Sequence, residues 1–387
     1  MRTHVAAALA LAVLLVVVGS ERGVCTPLEE SIAAQLAELE LENLHHYSQL
    51  VDPDFQGYLP RLDLESILAG GGELAAAGGL FRRFLGVLMR EITVSVAVLR
   101  QLVVVASLSA LLTRLTSSFG RTAVVQLAKG ICLLVVIILG LQSFRSALSL
   151  AADTVENMVS FMYAVLPTLA SLLAAAGGVT SAVIFHPVLV AVVGTVASVV
   201  RYVLLPLIFS GAALGLLAHF SEELPLSRLA ALARQASLTI LGLLFAVFSG
   251  VVVVRGAIAP IADGLGLRAA KFLTKTFLPV VGGMFADAVE VVAGGSLLIK
   301  NAVGVFGLGV IFFLVAVPVI KLWAVVLIYK LVSAVVQPIV DAEVVEAIAS
   351  LESSLTLVLA ALLTAGLMFF LVITVLVGLG NLAAVLR

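Results

Sequence analysis

The chain has 387 residues, 62% of them hydrophobic and only 12% charged, with a mean hydropathy of +1.23 and a net charge of −1. So few charges cannot cover a water-soluble domain of this size, and no basic excess is present to hold a nucleic acid. Apolar runs of about 20 residues, enough to cross ~30 Å of hydrocarbon, recur along most of the length. They are continuous rather than alternating, which predicts an all-α, polytopic helical membrane protein and excludes a barrel.

In chain order, Arg2 and the apolar residues 5–18 precede Val18-Gly19-Ser20, small residues suited to signal peptidase. Residues 1–20 read as a cleavable N-terminal signal peptide, with an uncleaved anchor helix as the alternative. Residues 21–80 form an acidic extracytoplasmic segment: residues 21–75 hold 11 of the 23 acids against Arg22 and Arg61 alone. Thr26-Pro27-Leu28-Glu29 fits a capping box, and Leu28, Ile32, Leu36 and Leu39 follow at helical spacing. This segment is either a docking surface for an extracytoplasmic partner or a solvated acidic cap. The two cysteines, Cys25 just after the leader and Cys132 inside a hydrophobic run, fall in different compartments and define neither a disulfide framework nor a metal cluster.

The polytopic membrane domain then occupies residues 81–387. Residues 81–92 are amphipathic, with Arg82, Arg83 and Arg90 beside Phe84, Leu85 and Leu88, and suit the membrane surface. Hydrophobic runs follow at about 99–118, 126–144, 158–176, 179–200, 202–220, 237–259, 302–320, 322–340 and 354–379. Counting every run as a crossing places Arg255, Arg268, Lys271 and Lys275 outside, against the positive-inside rule. The expectation is therefore six to nine membrane-embedded helices, with the runs flanking Gly177-Gly178 able to form a re-entrant hairpin.

Prolines and glycines mark candidate helix breaks at Pro167, Gly177, Gly178, Pro187, Pro206, Pro279, Gly282, Gly283, Gly294, Gly295 and Pro318. Several recur. Pro167, Pro206 and Pro225 are followed by Pro279, Pro318 and Pro338 at offsets of 112, 112 and 113, and Gly177-Gly178 and Ser237-Leu238-Thr239 by Gly294-Gly295 and Ser354-Leu355-Thr356 at 117. This spacing suggests an internal repeat, 158–256 and 270–375, although a Val/Ala/Leu-rich chain can also align with itself by chance.

Charges at membrane depth are costly and must face protein or water. The richest cluster comprises Lys271, Lys275, Asp287, Glu290, Lys300 and Asn301. Lys271 with Lys275, and Asp287 with Glu290, share helix faces. The group reads as a polar cavity or subunit contact; the alternative is an interfacial segment with snorkelling lysines. His186 before Pro187 has no second histidine nearby and fits a satisfied or water-facing residue better than a relay or ligand. There is no P-loop, H-E-x-x-H or G-x-S-x-G, so neither catalysis nor a cofactor is expected.

One resemblance is specific. Phe185-His186-Pro187-Val188, Ala270-Lys271-Phe272-Leu273, Leu278-Pro279-Val280-Val281-Gly282, Phe285-Ala286-Asp287-Ala288, Ser296-Leu297-Leu298-Ile299-Lys300-Asn301-Ala302-Val303-Gly304, Ile328-Tyr329-Lys330-Leu331, Gln337-Pro338 and Gly380-Asn381-Leu382 together resemble the stage III sporulation protein AE family. The likeness is sharpest at 268–340. It implies a non-enzymatic, multi-pass subunit in the mother-cell membrane facing the forespore, with its N-terminal segment extracytoplasmic. It further implies a permease-like core of the channel or secretion complex needed for endospore formation, beside a separate ATPase and ring-forming proteins. A stand-alone secondary transporter of a small solute and a purely structural scaffold remain the alternatives.

Overall fold

The computed structural model describes residues 122–220, 226–277 and 281–385, with a set of residues between 86 and 111; side chains are described throughout these helices except at 122–126, 128, 129, 220, 255, 257–262, 264–277, 281–290 and 380–385. The signal peptide, the acidic segment and most of the 99–118 run lie outside the described residues.

Among those residues the protein is entirely helical. The elements are α1 (Thr122–Ala175), α2 (Val179–Val199), a π-helical turn (Val200–Leu204), α3 (Leu205–Phe220), α4 (Ser227–Phe277), α5 (Val281–Val336) and α6 (Ala342–Val385). Five helices are long and apolar enough to cross a membrane: Gly130–Ala175, Val179–His219, Ser227–Val254, Val291–Val336 and Ala342–Leu379. Among the described residues this is fewer than the expected six to nine, and most of the 99–118 run lies outside them. Runs 126–144 and 158–176 are one helix, 179–200 and 202–220 are one rod through the π turn, and 302–320 and 322–340 both lie in α5. The charges that separate these runs in sequence, exposed Arg145, Asp153, Glu156 and Arg201 and half-buried Lys321, leave the backbone ladder intact. At 1.5 Å per residue the longest of the five extends about 69 Å, roughly twice a ~30 Å hydrocarbon core.

The prolines behave in the same way. Pro167, Pro187 and Pro318 stand inside helices, and Gly294 and Gly295 also lie within α5. Gly282 and Gly283 belong to its first turn, while Pro279 lies outside the described residues. Membrane helices tolerate such interruptions because neighbouring groups take up the freed polar atoms. Pro206 has its own solution. The π turn just before it bonds the Leu205 N–H to the Val200 carbonyl, and this wider turn accommodates a residue that has no N–H and would crowd the carbonyl four residues back.

The true break is Gly177-Gly178. The Gly178 N–H bonds the Leu173 carbonyl and the Gly177 N–H the Ala174 carbonyl, each at 2.9 Å. That is a Schellman ending, and Gly177 takes the positive φ, 90°, that it requires. The chain reverses there, and α2 packs back along α1. Both arms run on well beyond this tip, so the pair is not a short hairpin standing alone.

The centre of the bundle is α6, which packs on α5, α1, α4 and α3. Val358, Ala361, Ala365, Phe369 and Val372 give it a fully buried stripe at helical spacing. The α5–α6 pair is antiparallel: Gly304 abuts Val377, Gly366 abuts Val315, and Lys330 meets Glu352 at 3.8 Å. Ahead of these helices, Leu88 and Ile92 dock on Val317, Ile320 and Ala324 of α5. That amphipathic stretch therefore leans on the bundle rather than on lipid alone.

The positions compared for a repeat match unevenly. Ser237 and Ser354 are both buried, each bonding the carbonyl four residues back, and Thr239 and Thr356 do likewise. The glycine pairs do not share a place: one separates helices and the other lies inside α5.

Candidate functional site

Of the charged cluster expected at 271–301, Lys300 and Asn301 have described side chains. Lys271 and Lys275 stand on α4, and Asp287 and Glu290 on α5; their side chains lie outside the described residues. Lys300 itself is fully buried, at 0% exposure. Its Nζ donates to the backbone carbonyls of Val377 at 2.9 Å and Leu376 at 3.4 Å. This is possible because Gly304, one turn on, has no side chain and α6 comes close against it. Asn301 is half-buried beside it.

A second buried charge was not singled out in the sequence. Asp263 of α4 is 4% exposed, and its Oδ1 accepts the backbone N–H of Ser181 at 3.1 Å. Ser181 is the third residue of α2, so Asp263 caps that helix from 82 residues away. The carboxylate thereby meets the positive end of the α2 dipole and ties α4 to the Gly177-Gly178 turn. The only sequence signal was an acid following an apolar run; its partner is a backbone group and leaves no signature. His186 lies in α2 with its Nδ1 buried and, among the described residues, without a hydrogen-bond partner.

Charged and aromatic groups gather at a second height. Arg201, in the π turn, donates from Nη1 to Glu156 Oε2 at 2.6 Å, and its guanidinium lies 5.8 Å from the Tyr202 ring. Lys321 of α5 shares a cavity of about 460 Å³ with Gln142, Ser146 and Leu150 of α1, which puts it close to the same height. Tyr202 and Trp323 are exposed there. At the other height Gly256 abuts Val375 and Gly304 abuts Val377, so Asp263 and Lys300 stand level with each other across α6. Ser181 to Arg201 spans 20 residues and Lys300 to Lys321 spans 21, about 30 Å at helical rise. The two polar levels are thus one hydrocarbon thickness apart. Between them the outward residues of α4, α5 and α6 include the apolar Leu243, Val247, Phe312, Leu363 and Leu367.

The arrangement is that of a helical bundle with sealed polar contacts, and known proteins give it a family. The stage III sporulation protein AE family profile matches residues 63–380. Stage III sporulation protein AE of Bacillus subtilis (strain 168) is 33% identical over 362 residues, covering 92% of this chain and 91% of that protein. No solved structure matches. This chain is a sporulation-family membrane protein, and it belongs to the stage III sporulation protein AE family.

Proposed function

We propose that the chain is the membrane-embedded, permease-like core subunit of a channel or secretion complex joining mother cell and forespore, required for endospore formation. It sits in the mother-cell membrane facing the forespore. A cleaved signal peptide delivers the acidic N-terminal segment to the extracytoplasmic side, where ring-forming partners assemble, and a separate ATPase supplies energy. Family membership across 63–380 supports the sporulation role. The observation that carries the membrane-core part is the pair of buried charges, Lys300 and Asp263, held between helices long and apolar enough to cross a bilayer. Such groups are expensive in lipid and mark functional interiors.

Replacing Asp287 with Asn and Glu290 with Gln in sporulating cells tests the reading. The complex should assemble and be recovered with this chain in a pull-down, while forespore support is lost. Unchanged sporulation would remove the cluster from the mechanism. The purified chain reconstituted alone should be inert; gradient-driven solute uptake by it alone would overturn the subunit reading in favour of a stand-alone transporter.

A further inference from the structure

The exposed face of α1 changes character along one line. Leu127, Ile131, Leu134 and Ile138 are followed at helical spacing by Gln142, Arg145, Ser149, Asp153 and Glu156, all exposed. Where this stripe meets the π turn there is an open groove of about 530 Å³ between α1 and the start of α3. Arg145, Ser149 and Arg201 supply its polar lining, and Leu148, Leu205 and Phe209 line it with apolar surface. Phe209 stacks on Phe144 with ring centroids 6.2 Å apart, which fixes that wall. The π turn positions Arg201 at the groove, and such turns are frequent at functional sites.

The charge balance there is incomplete. Arg201 spends one N–H on Glu156, and Asp153 Oδ2 accepts from Ser149 Oγ at 3.3 Å without lining the groove. Arg145 has no carboxylate within ion-pair distance among the described residues, so its guanidinium is unpaired at the groove mouth. The groove also lies at the polar level of Arg201 and Lys321, next to exposed Tyr202, where a hydrocarbon slab gives way to head groups.

We propose that this groove seats an anionic phospholipid, with Arg145 and the free donors of Arg201 on the phosphate and the acyl chains along Leu148, Leu205 and Phe209. A guanidinium recognises a phosphate through paired N–H donors, and a net negative head group pairs with the unpartnered Arg145 more strongly than a zwitterionic one, whose own cation competes for the phosphate. The apolar walls explain why a lipid, rather than free phosphate, is the occupant. Glu156 then acts as an internal competitor for Arg201.

The full chain, purified into nanodiscs or detergent with an equimolar mixture of phosphatidylglycerol and phosphatidylcholine, should retain phosphatidylglycerol preferentially, as counted by native mass spectrometry. Arg145→Gln should lower that enrichment at least about threefold, near the effect of one lost guanidinium–phosphate contact. Arg145→Lys should keep most of it, and Glu156→Gln should raise it by releasing Arg201. Equal enrichment in the wild type and Arg145→Gln would overturn the proposal, as would displacement of the lipid by millimolar inorganic phosphate. The Lys and Gln variants at 145 and 156 separate lost binding from lost folding, since all three should elute as the same species on size exclusion.

Discussion

Lys300→Glu is expected to destabilise the protein by on the order of 4 kcal/mol, the scale for stranding a charge inside a protein. The wild-type ammonium is sealed between α5 and α6 and donates to the Leu376 and Val377 carbonyls. A carboxylate in its place would face two more acceptors with nothing to donate. Lys300→Met has the opposite expectation. It keeps the length of the side chain and removes the charge, and exchanging a buried ionic group for a well-packed apolar one is commonly neutral or stabilising by about 1–4 kcal/mol. Thermal unfolding of both variants in one detergent, followed by size exclusion, reads the difference. Equal stability of Lys300→Glu and the wild type would show that Lys300 is not enclosed. Sporulation by a stable Lys300→Met variant then separates packing from function: normal spore formation would confine Lys300 to holding the helices together.

The second large effect concerns the approach that makes this contact available. A Cβ on Gly304 would collide with the Val377 side chain, and Val377 is β-branched and stiff about χ1, so it cannot swing aside cheaply. Gly304→Val should therefore cost about 2–3 kcal/mol, typical of overpacking a close helix contact. Val377→Ala in the same chain should restore at least half of the loss. Gly294 provides the contrast within the same helix. Nothing lies within 4 Å of a Cβ built there, so Gly294→Ala should be neutral or gain up to about 1 kcal/mol in helix propensity. Thermal midpoints of the three variants check the pattern. Similar losses at 304 and 294, or no recovery with Val377→Ala, would contradict the α5–α6 register.

Composition alone made the helical membrane class legible, because no other architecture satisfies backbone polar groups in lipid. The family was legible too, from short stretches concentrated at 268–340. The number of helices was not. Arg145, Asp153, Glu156, Arg201 and Lys321 lower local hydropathy enough to divide the runs, yet a charge on an outward face does not interrupt a helix. Prolines misled for a related reason: the π turn accommodates Pro206, and Pro167 and Pro318 stand inside helices that tolerate them. Gly177-Gly178 was readable as a break because a paired glycine also supplies the positive φ that a Schellman ending needs.

The site divides along the same line. Lys300 could be picked out as a lysine in an apolar run. That it is enclosed depends on Gly304 lying opposite Val377, a fact of packing between segments more than 70 residues apart in sequence, as the Lys300–Leu376 separation of 76 shows. Asp263 escaped notice because its partner is the backbone N–H of Ser181, which any residue but proline carries.

The account rests on long helices that each cross once, with reversals at 176–178 and 337–341 and between α3 and α4 and between α4 and α5. Single cysteines at Thr180, Ser227 and Ala342, placed in a chain with Cys25 and Cys132 replaced and probed from each side with a membrane-impermeant thiol reagent, address this directly. Thr180 should be labelled from one side, and Ser227 and Ala342 together from the other. Labelling of Thr180 and Ser227 from the same side, with Ala342 opposite, is the pattern of separate short crossings and would contradict the structure described.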